Sequence, residues 1–394
     1  MNNNKIINDL EKKFLEIFGE SKPDQKLYCF RAPARVNIIG EHTDYNDGFV
    51  MPISINKKIY LLIRKRDDLN FNLISLNYPD KKITNFDINK IEKTNNWTDY
   101  PKGIISILTK LGYKLSGMDM LYWGDIPIAS GLSSSAAIEV VTCYAFNIVN
   151  GLNIDRKQIA LLSQKAENEF VGMKCGIMDQ FIITLGREDN ALLIDCRSLD
   201  YEYIPLELKD IGIVVCNTKL PRKLITSEYN LRREECDKGV EILKQYLPEI
   251  KKLRDVNIEQ FEKYKNNLPE NIRKRCEHVI QENNRVIKAK QAIKNKNFID
   301  LGKLLIQSHN SLRYLYEVSC PELDTMVESV ITKYDVYGAR MIGAGFGGCV
   351  IAMVKKYIID KFISKVYAEY KTKTGIIPEF YVCDIIDGVC EIKK

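Results

Sequence analysis

The sequence predicts an α+β fold in two domains. Three observations carry that expectation. Its 394 residues exceed the length at which one hydrophobic core normally keeps growing. Helical and strand-like periods interleave without a regular βαβ repeat. No internal repeat or low-complexity linker separates them. The expected domains are residues 1–199 and 200–394, sharing a sizeable interface.

Taken in order, residues 1–20 place Ile6, Ile7, Leu10, Phe14, Leu15 and Phe18 at helical intervals. No basic stretch leads into an apolar run there, so this is an amphipathic helix, not a secretion signal. Residues 26–32, 36–39, 49–55 and 58–65 carry β-branched and aromatic runs that predict strands joined by hairpins. Residues 103–111 and 136–149 read as helices. The second is apolar almost all round and stops at Asn150-Gly151, so it must be buried. Asp155-Arg156-Lys157-Gln158 resembles a capping box opening a helix to about residue 170. Beyond residue 200, strands are expected at 211–217, 348–354 and 379–383, and helices at 227–245 and 272–294.

Composition excludes several classes. Hydrophobic content of 45% and charged content of 28% are those of a globular chain. The net charge of +6 points only weakly to polyanions. The basic stretch 272–296 alternates with Glu and Asn as a solvated helix face does, so no nucleic-acid partner is expected. Eleven cysteines are odd in number and never spaced Cys-x-x-Cys, which favours buried free thiols in a reducing compartment. Three histidines make a His-based metal site a poor expectation. With no apolar run of membrane-spanning length, the expected setting is the cytoplasm.

Two stretches carry chemistry. Residues 31–45 place Arg31, Arg35, Glu41, His42 and Asp44 beside a strand-like core, just before the turn Asn46-Asp47-Gly48, whose glycine tolerates positive φ. Reactive groups concentrate on such sheet-held loops. Gly131-Leu132-Ser133-Ser134-Ser135-Ala136 opens the buried helix, where free N–H groups and the helix dipole attract anions. Serine capping needs only one of the three serines. No Lys ends the loop, so it is not a Walker A motif. Gly343-Ala344-Gly345-Phe346-Gly347-Gly348 contains Gly-x-Gly-x-x-Gly but leads into a strand-like run rather than a helix, which fails the dinucleotide reading.

Residues 35–45, Arg35-Val36-Asn37-Ile38-Ile39-Gly40-Glu41-His42-Thr43-Asp44-Tyr45, resemble the signature of the galactokinases. That family belongs to the superfamily of galacto-, homoserine, mevalonate and phosphomevalonate kinases (GHMP). Residues 127–136 and 338–348 match the superfamily's second and third motifs in order. Shorter matches lie at Trp97-Thr98-Asp99-Tyr100, Cys175-Gly176-Ile177-Met178-Asp179-Gln180, Ser227-Glu228-Tyr229 and Tyr316-Glu317-Val318-Ser319-Cys320-Pro321-Glu322. The resemblance covers the chain from about residue 28 to its end.

The resemblance implies two α+β domains with the active site in the cleft between them. It implies ATP-dependent phosphorylation of α-D-galactose at the anomeric hydroxyl, the first committed step of galactose use by the Leloir pathway. Asp179 and Arg35 match the catalytic pair. An Arg within about 4–6 Å would lower an Asp pKa by roughly 1–3 units, leaving a hydrogen-bond acceptor for a hydroxyl in a loose, electrostatically stabilised phosphoryl transfer. Glu41, His42, Thr43, Asp44, Gly176 and Tyr229 match the sugar site. Ala129, Ser130, Gly131, Leu132, Ser133, Ser134 and Ser135 match the ATP-binding loop. Trp97 and Tyr100 fall near the adenine pocket, although buried aromatics are mostly core. Ser135 and Glu167 match ligands of Mg2+, a hard cation that is usually bound by few protein oxygens plus phosphates. Glu167 also reads as a solvated helix residue.

The expected partners are galactose and ATP, with no membrane or nucleic acid, and the expected state is a monomer. Two rivals remain open. One is a kinase for N-acetylgalactosamine or another galactose-like sugar, the other a galactose/ATP sensor without turnover. Three departures from the family pattern stand out: Ala34 for Gly, Ile342 for Thr, and Tyr314-Leu315 where acidic residues are common.

Overall fold

The computed structural model describes residues 3–393 except 24, 79, 81, 128, 129, 221–224 and 334. The chain opens with helix α1 (Asn3–Phe18), followed by strands β1 (Leu27–Ile39), β2 (Phe49–Lys65), β3 (Asn70–Ser75) and β4 (Thr84–Asp87). Then come α2 (Asp99–Lys110), β5 (Met118–Gly124), α3 (Ser134–Asn150), α4 (Arg156–Ala166), α5 (Met178–Leu185), β6 (Asn190–Asp195) and β7 (Tyr201–Pro205). The second half runs β8 (Ile211–Asn217), α6 (Ile225–Leu243), α7 (Ile258–Tyr264), α8 (Glu270–Lys294), α9 (Phe298–Ser311) and α10 (Pro321–Ile331). It closes with β9 (Val336–Ile342), β10 (Cys349–Lys355), α11 (Ile359–Thr374), β11 (Glu379–Cys383) and β12 (Cys390–Glu391).

The four expected N-terminal strands are two long ones. β1 and β2 pair antiparallel from Leu27↔Arg64 to Ile39↔Met51, and the ladder absorbs Pro33 at a register shift between Pro33 and Ala34. Irregularities are where a sheet accepts a residue that cannot donate. Among the described residues the first sheet is ordered β12-β1-β2-β5-β3-β4, with β6 on the end of β2 and β7 on β6. Ile7, Leu10 and Phe14 of α1 pack on one face against Cys29, Tyr60, Leu62 and Leu121. α2 to α5 cover the other face and supply the main core.

The second sheet is ordered β11-β8-β10-β9 and is antiparallel throughout. Val350, Ala352 and Val354 of β10 face the second core, while Cys349, Ile351 and Met353 face the core of the first domain. A strand buried on both faces reads as an unbroken apolar run, as residues 349–354 do. Val286 and Ala289 of α8 and Leu301 and Leu305 of α9 also enter the first core, so the domains share a packed boundary.

Residue 200 falls inside the β6–β7 hairpin, and the chain returns through β12 to pair with β1. The helix expected to run to residue 170 ends at Ala166 and gives way to one wider, π-helical turn, Glu167–Val171, closed by Gly172 at φ 92°. Asp155 caps its start by accepting from the Gln158 backbone at 2.9 Å. In the turn after Tyr45 it is Asp47, not Gly48, that carries positive φ, at 57°. Gly48 is required for space instead, since a Cβ there would lie 2.3 Å from Asn283 Oδ1. All eleven cysteines are free thiols. Among the described residues no helix is long and apolar enough to cross a membrane.

Candidate active site

A cleft of about 710 Å³ opens where the β1–β2 loop, the start of α3, the π-turn and the start of α5 meet the second domain. Arg35, near the middle of β1, projects into it. Arg35 Nε and Nη2 each donate to a carboxylate oxygen of Asp179 at 2.6 Å, and Nη1 donates to the Gly131 carbonyl at 2.6 Å. One side chain thus ties the first turn of α5 to the glycine of the serine loop, with the bidentate geometry that makes such pairs strong. Burial opposes the Arg35 charge, but Asp179, Glu41 and Asp44 outweigh it and hold its pKa above the ordinary value.

The helix opening at Ser134 leaves its N-terminus free. Ser133 occupies the capping position in a left-handed conformation, φ 61°, and its hydroxyl donates to Asp179 rather than to the helix backbone. The first N–H groups of α3 therefore stay available to an anion. Gly131, Ser134 and Ser135 line the cleft beside them. Ser130 and Leu132 do not. The Ser130 hydroxyl donates to the Pro127 carbonyl at 2.7 Å, and Leu132 is packed in the core. Ala129 lies outside the described residues.

Glu41, His42, Asp44, Gly176 and Tyr229 line the cleft together. Thr43 does not. It is fully buried, and its hydroxyl is shared between the carbonyls of Gly40 at 2.9 Å and Phe49 at 2.7 Å, so it braces the loop from behind. Burial, then Asp179 and Glu41, push the Asp44 carboxyl up to about 7. Burial and the neighbouring His278 hold His42 down at about 3, so its imidazole is neutral. Its Nδ1 is taken by the Tyr45 hydroxyl at 2.7 Å. Glu41 is more than a cleft-lining group, because its Oε1 accepts from Arg340 at 2.8 Å and from the Gly343 backbone at 2.9 Å.

Glu167 heads the π-turn and is buried, not solvated, which settles the alternative left open by its sequence context. Burial and Asp179 raise its pKa. Gln180 Nε2 donates to Glu167 Oε2 at 2.6 Å and to Glu139 Oε2 at 3.2 Å, and the Ser135 hydroxyl also reaches Glu167. Trp97 and Tyr100 line the same cleft, with Trp97 stacked on Tyr78 at 6.0 Å between ring centres.

Sequence reasoning missed several lining residues. Ser75 ends β3, Asn77 and Tyr78 follow it, and Asn95 and Asn96 precede α2. Nothing in their local pattern separates them from ordinary turn residues. Gly343 and Ala344 also line the cleft, and here the glycine-rich run was the signal.

Three family models match the chain: the galactokinase galactose-binding signature over residues 12–65, the GHMP kinases N-terminal domain over 99–187, and the GHMP kinases C-terminal domain over 289–372. The chain is 44% identical to a galactokinase of Clostridium tetani over 99% of both chains. It belongs to the galactokinase family. A Thermotoga maritima galactokinase is 42% identical over 92% of this chain and 99% of its own. The crystal structure of Lactococcus lactis galactokinase complexed with galactose superposes with a TM-score of 0.94 at 39% identity, covering 98% of this chain and 100% of that one. A mevalonate kinase, at 21% identity and TM-score 0.64 over 91% of this chain and 99% of that one, shares the fold.

None of the departures from the galactokinase pattern lines the cleft. Ala34 lies in β1 without positive φ, so a side chain there is unstrained. Ile342 is core. Tyr314 is 59% exposed. Ser135 and Glu167 also suit the magnesium that galactokinases imply: two hard oxygen donors meet at the cleft beside a free helix N-terminus. Among the described residues no group of three or more His, Cys, Asp or Glu could hold a metal ion.

Proposed function

We propose that this chain is an ATP-dependent galactokinase converting α-D-galactose and ATP to α-D-galactose 1-phosphate and ADP. The observation that carries the reading is the bidentate Arg35–Asp179 pair, set between the free N-terminus of α3 and the polyol-suited groups Asp44, Glu41 and His42. Asp179 accepts the anomeric O–H hydrogen bond. As the sugar oxygen bonds to the γ-phosphorus and the bond to the bridging oxygen of ADP breaks, the proton passes toward Asp179. Arg35 and the N–H groups of α3 offset the charge on the transferring group. Glu41, His42, Asp44, Gly176 and Tyr229 hold the sugar, and the aromatic pair Trp97 and Tyr78 borders the base. Ser135 and Glu167 would hold magnesium, which neutralises phosphate charge when bound with ATP.

The halves 1–199 and 200–394 act together, the first bearing the sugar signature and serine loop and the second the third glycine-rich motif. The chain acts as a cytoplasmic monomer; eleven free thiols fit a reducing setting. A coupled ADP-release assay across galactose, N-acetylgalactosamine, galacturonate and glucose tests the reading. Galactose should give the highest kcat/KM. Preference for N-acetylgalactosamine would move the assignment to that sugar, and binding without ADP release would make the chain a sensor.

A further inference from the structure

Tyr316 is fully buried on the second domain, yet its hydroxyl lies 2.7 Å from the Tyr45 hydroxyl of the first. Tyr45 in turn meets His42 Nδ1 at 2.7 Å, and the Tyr316 ring packs against the His42 ring at 4.7 Å between centres. His42 needs such support. Its φ is 62°, a left-handed conformation that a non-glycine residue keeps only when its surroundings over-determine it. Nδ1 is committed to Tyr45, and Nε2 is out of solvent, so the orientation of the ring is set from the Tyr45 side.

The turn that carries Tyr316 is itself clamped. Tyr316 ends a π-helical turn, Leu312–Tyr316, whose Tyr316 carbonyl accepts from Arg232 Nε at 2.9 Å and whose Leu315 carbonyl accepts from Arg275 Nη1 at 2.6 Å. The Cys236 thiol, 3.2 Å from the Tyr316 hydroxyl, occupies its remaining side. A fixed hydroxyl on one domain therefore ends a two-step chain to a strained histidine on the other.

We propose that Tyr316 is a positioning residue for the sugar site, acting through Tyr45 to fix the ring of His42 from across the domain boundary. This rests on the reading above that His42 faces the sugar. The chain is serial, so Tyr45 and Tyr316 act as one unit rather than as two additive contacts.

The test is a set of full-length variants, Tyr316→Phe, Tyr45→Phe, the double variant and His42→Gln, with steady-state kinetics and calorimetric galactose binding in the absence of ATP. Tyr316→Phe keeps the ring and loses only the hydroxyl. It should raise the galactose Kd and KM by about three- to tenfold, the size of one buried hydrogen bond, while leaving the KM for ATP unchanged. The double variant should match Tyr45→Phe. A fall in melting temperature with both KM values unchanged would overturn the proposal, as would additive effects of the two Tyr variants. If His42→Gln weakens galactose binding while Tyr316→Phe does not, the proposal fails and the sugar-site reading stands. If His42→Gln also leaves galactose binding unchanged, both fail.

Discussion

Arg340 Nη2 donates to Glu41 Oε1 at 2.8 Å across the domain boundary, with both side chains out of solvent. Arg340 also donates to the carbonyls of Ile38 at 2.7 Å, Asn37 at 2.7 Å and Met341 at 3.0 Å, so every face of the guanidinium is used. Glu282 and Asn283 of α8 add to this grip by accepting from the Gly40 and Phe49 backbones at 3.0 Å and 2.9 Å. The loop between β1 and β2 that lines the cleft belongs to the first domain but is held by the second.

Arg340→Met should therefore be among the most destabilising single changes in the chain. Breaking a buried pair costs about 3–5 kcal/mol because the remaining charge is stranded. Glu41→Gln in the same background should add less than its own effect. Urea unfolding of the three variants measures this. Near-wild-type stability of Arg340→Met would show that the boundary does not depend on this pair.

Asp179→Asn should lower kcat by about two to four orders of magnitude, the range for loss of a positioned acid–base group, with galactose affinity largely kept. Arg35→Ala removes both the partner of Asp179 and the bond to the Gly131 carbonyl, so the double variant should be far less than additive. Turnover near wild type in Asp179→Asn would take that carboxylate out of the mechanism.

Much of this was legible in the sequence, for identifiable reasons. Residues 379–383 and 211–217 formed strands as read, because apolar β-branched runs with turn signals at both ends leave few alternatives. The two long strands were split at Pro33 and at Asn56-Lys57, since local pattern cannot show that a sheet tolerates a shift in register. The lining of the cleft was legible where chemistry is concentrated in one segment, as in residues 35–45. It was not legible where the contribution comes from far along the chain. Arg340 and Tyr316 fell in stretches that match the family, and Glu282 in a helix, but nothing in their local pattern showed that folding sets them against residues 40–45. Thr43 was misplaced for a simpler reason: neighbours on a loop point in different directions.

Asp44 sets a pH dependence. Its folded-state pKa, about 7, lies above the ordinary carboxylate value of 3.8, so the native state holds its proton more tightly than the unfolded chain. Its contribution to stability is present below the unfolded pKa and is lost as pH rises toward 7. Sugar binding runs the opposite way, because the ionised carboxylate is the better acceptor for hydroxyls. The galactose KM should fall between pH 6 and 8 by up to about tenfold per unit below 7, and the dependence should vanish in Asp44→Asn. A flat KM profile in the wild type would show that Asp44 binds sugar in one protonation state throughout.

Glu167→Gln should raise the magnesium concentration needed for half-maximal activity far more than the KM for galactose. The amide keeps the shape and the contact with Gln180 but loses the charge a hard cation needs. The comparison is a magnesium titration at fixed ATP, repeated with nucleotide binding followed by the fluorescence of Trp97, which lines the cleft. Identical titrations in wild type and variant would leave Glu167 a structural carboxyl.

Gly176 is required for space rather than for backbone freedom, since its φ is not positive. A Cβ built there would lie 1.9 Å from Asp44 Oδ2, closer than any real contact. Gly176→Ala must therefore displace Asp44 from the cleft, because the Asp44 side chain yields more readily than the start of α5 two residues on. Galactose KM should rise at least as much as in Asp44→Ala, and adding Asp44→Ala to Gly176→Ala should change it little further, since both act on the same carboxylate. ATP affinity and melting temperature should move much less. If Gly176→Ala left the galactose KM intact, Asp44 would not be held where the sugar reads it.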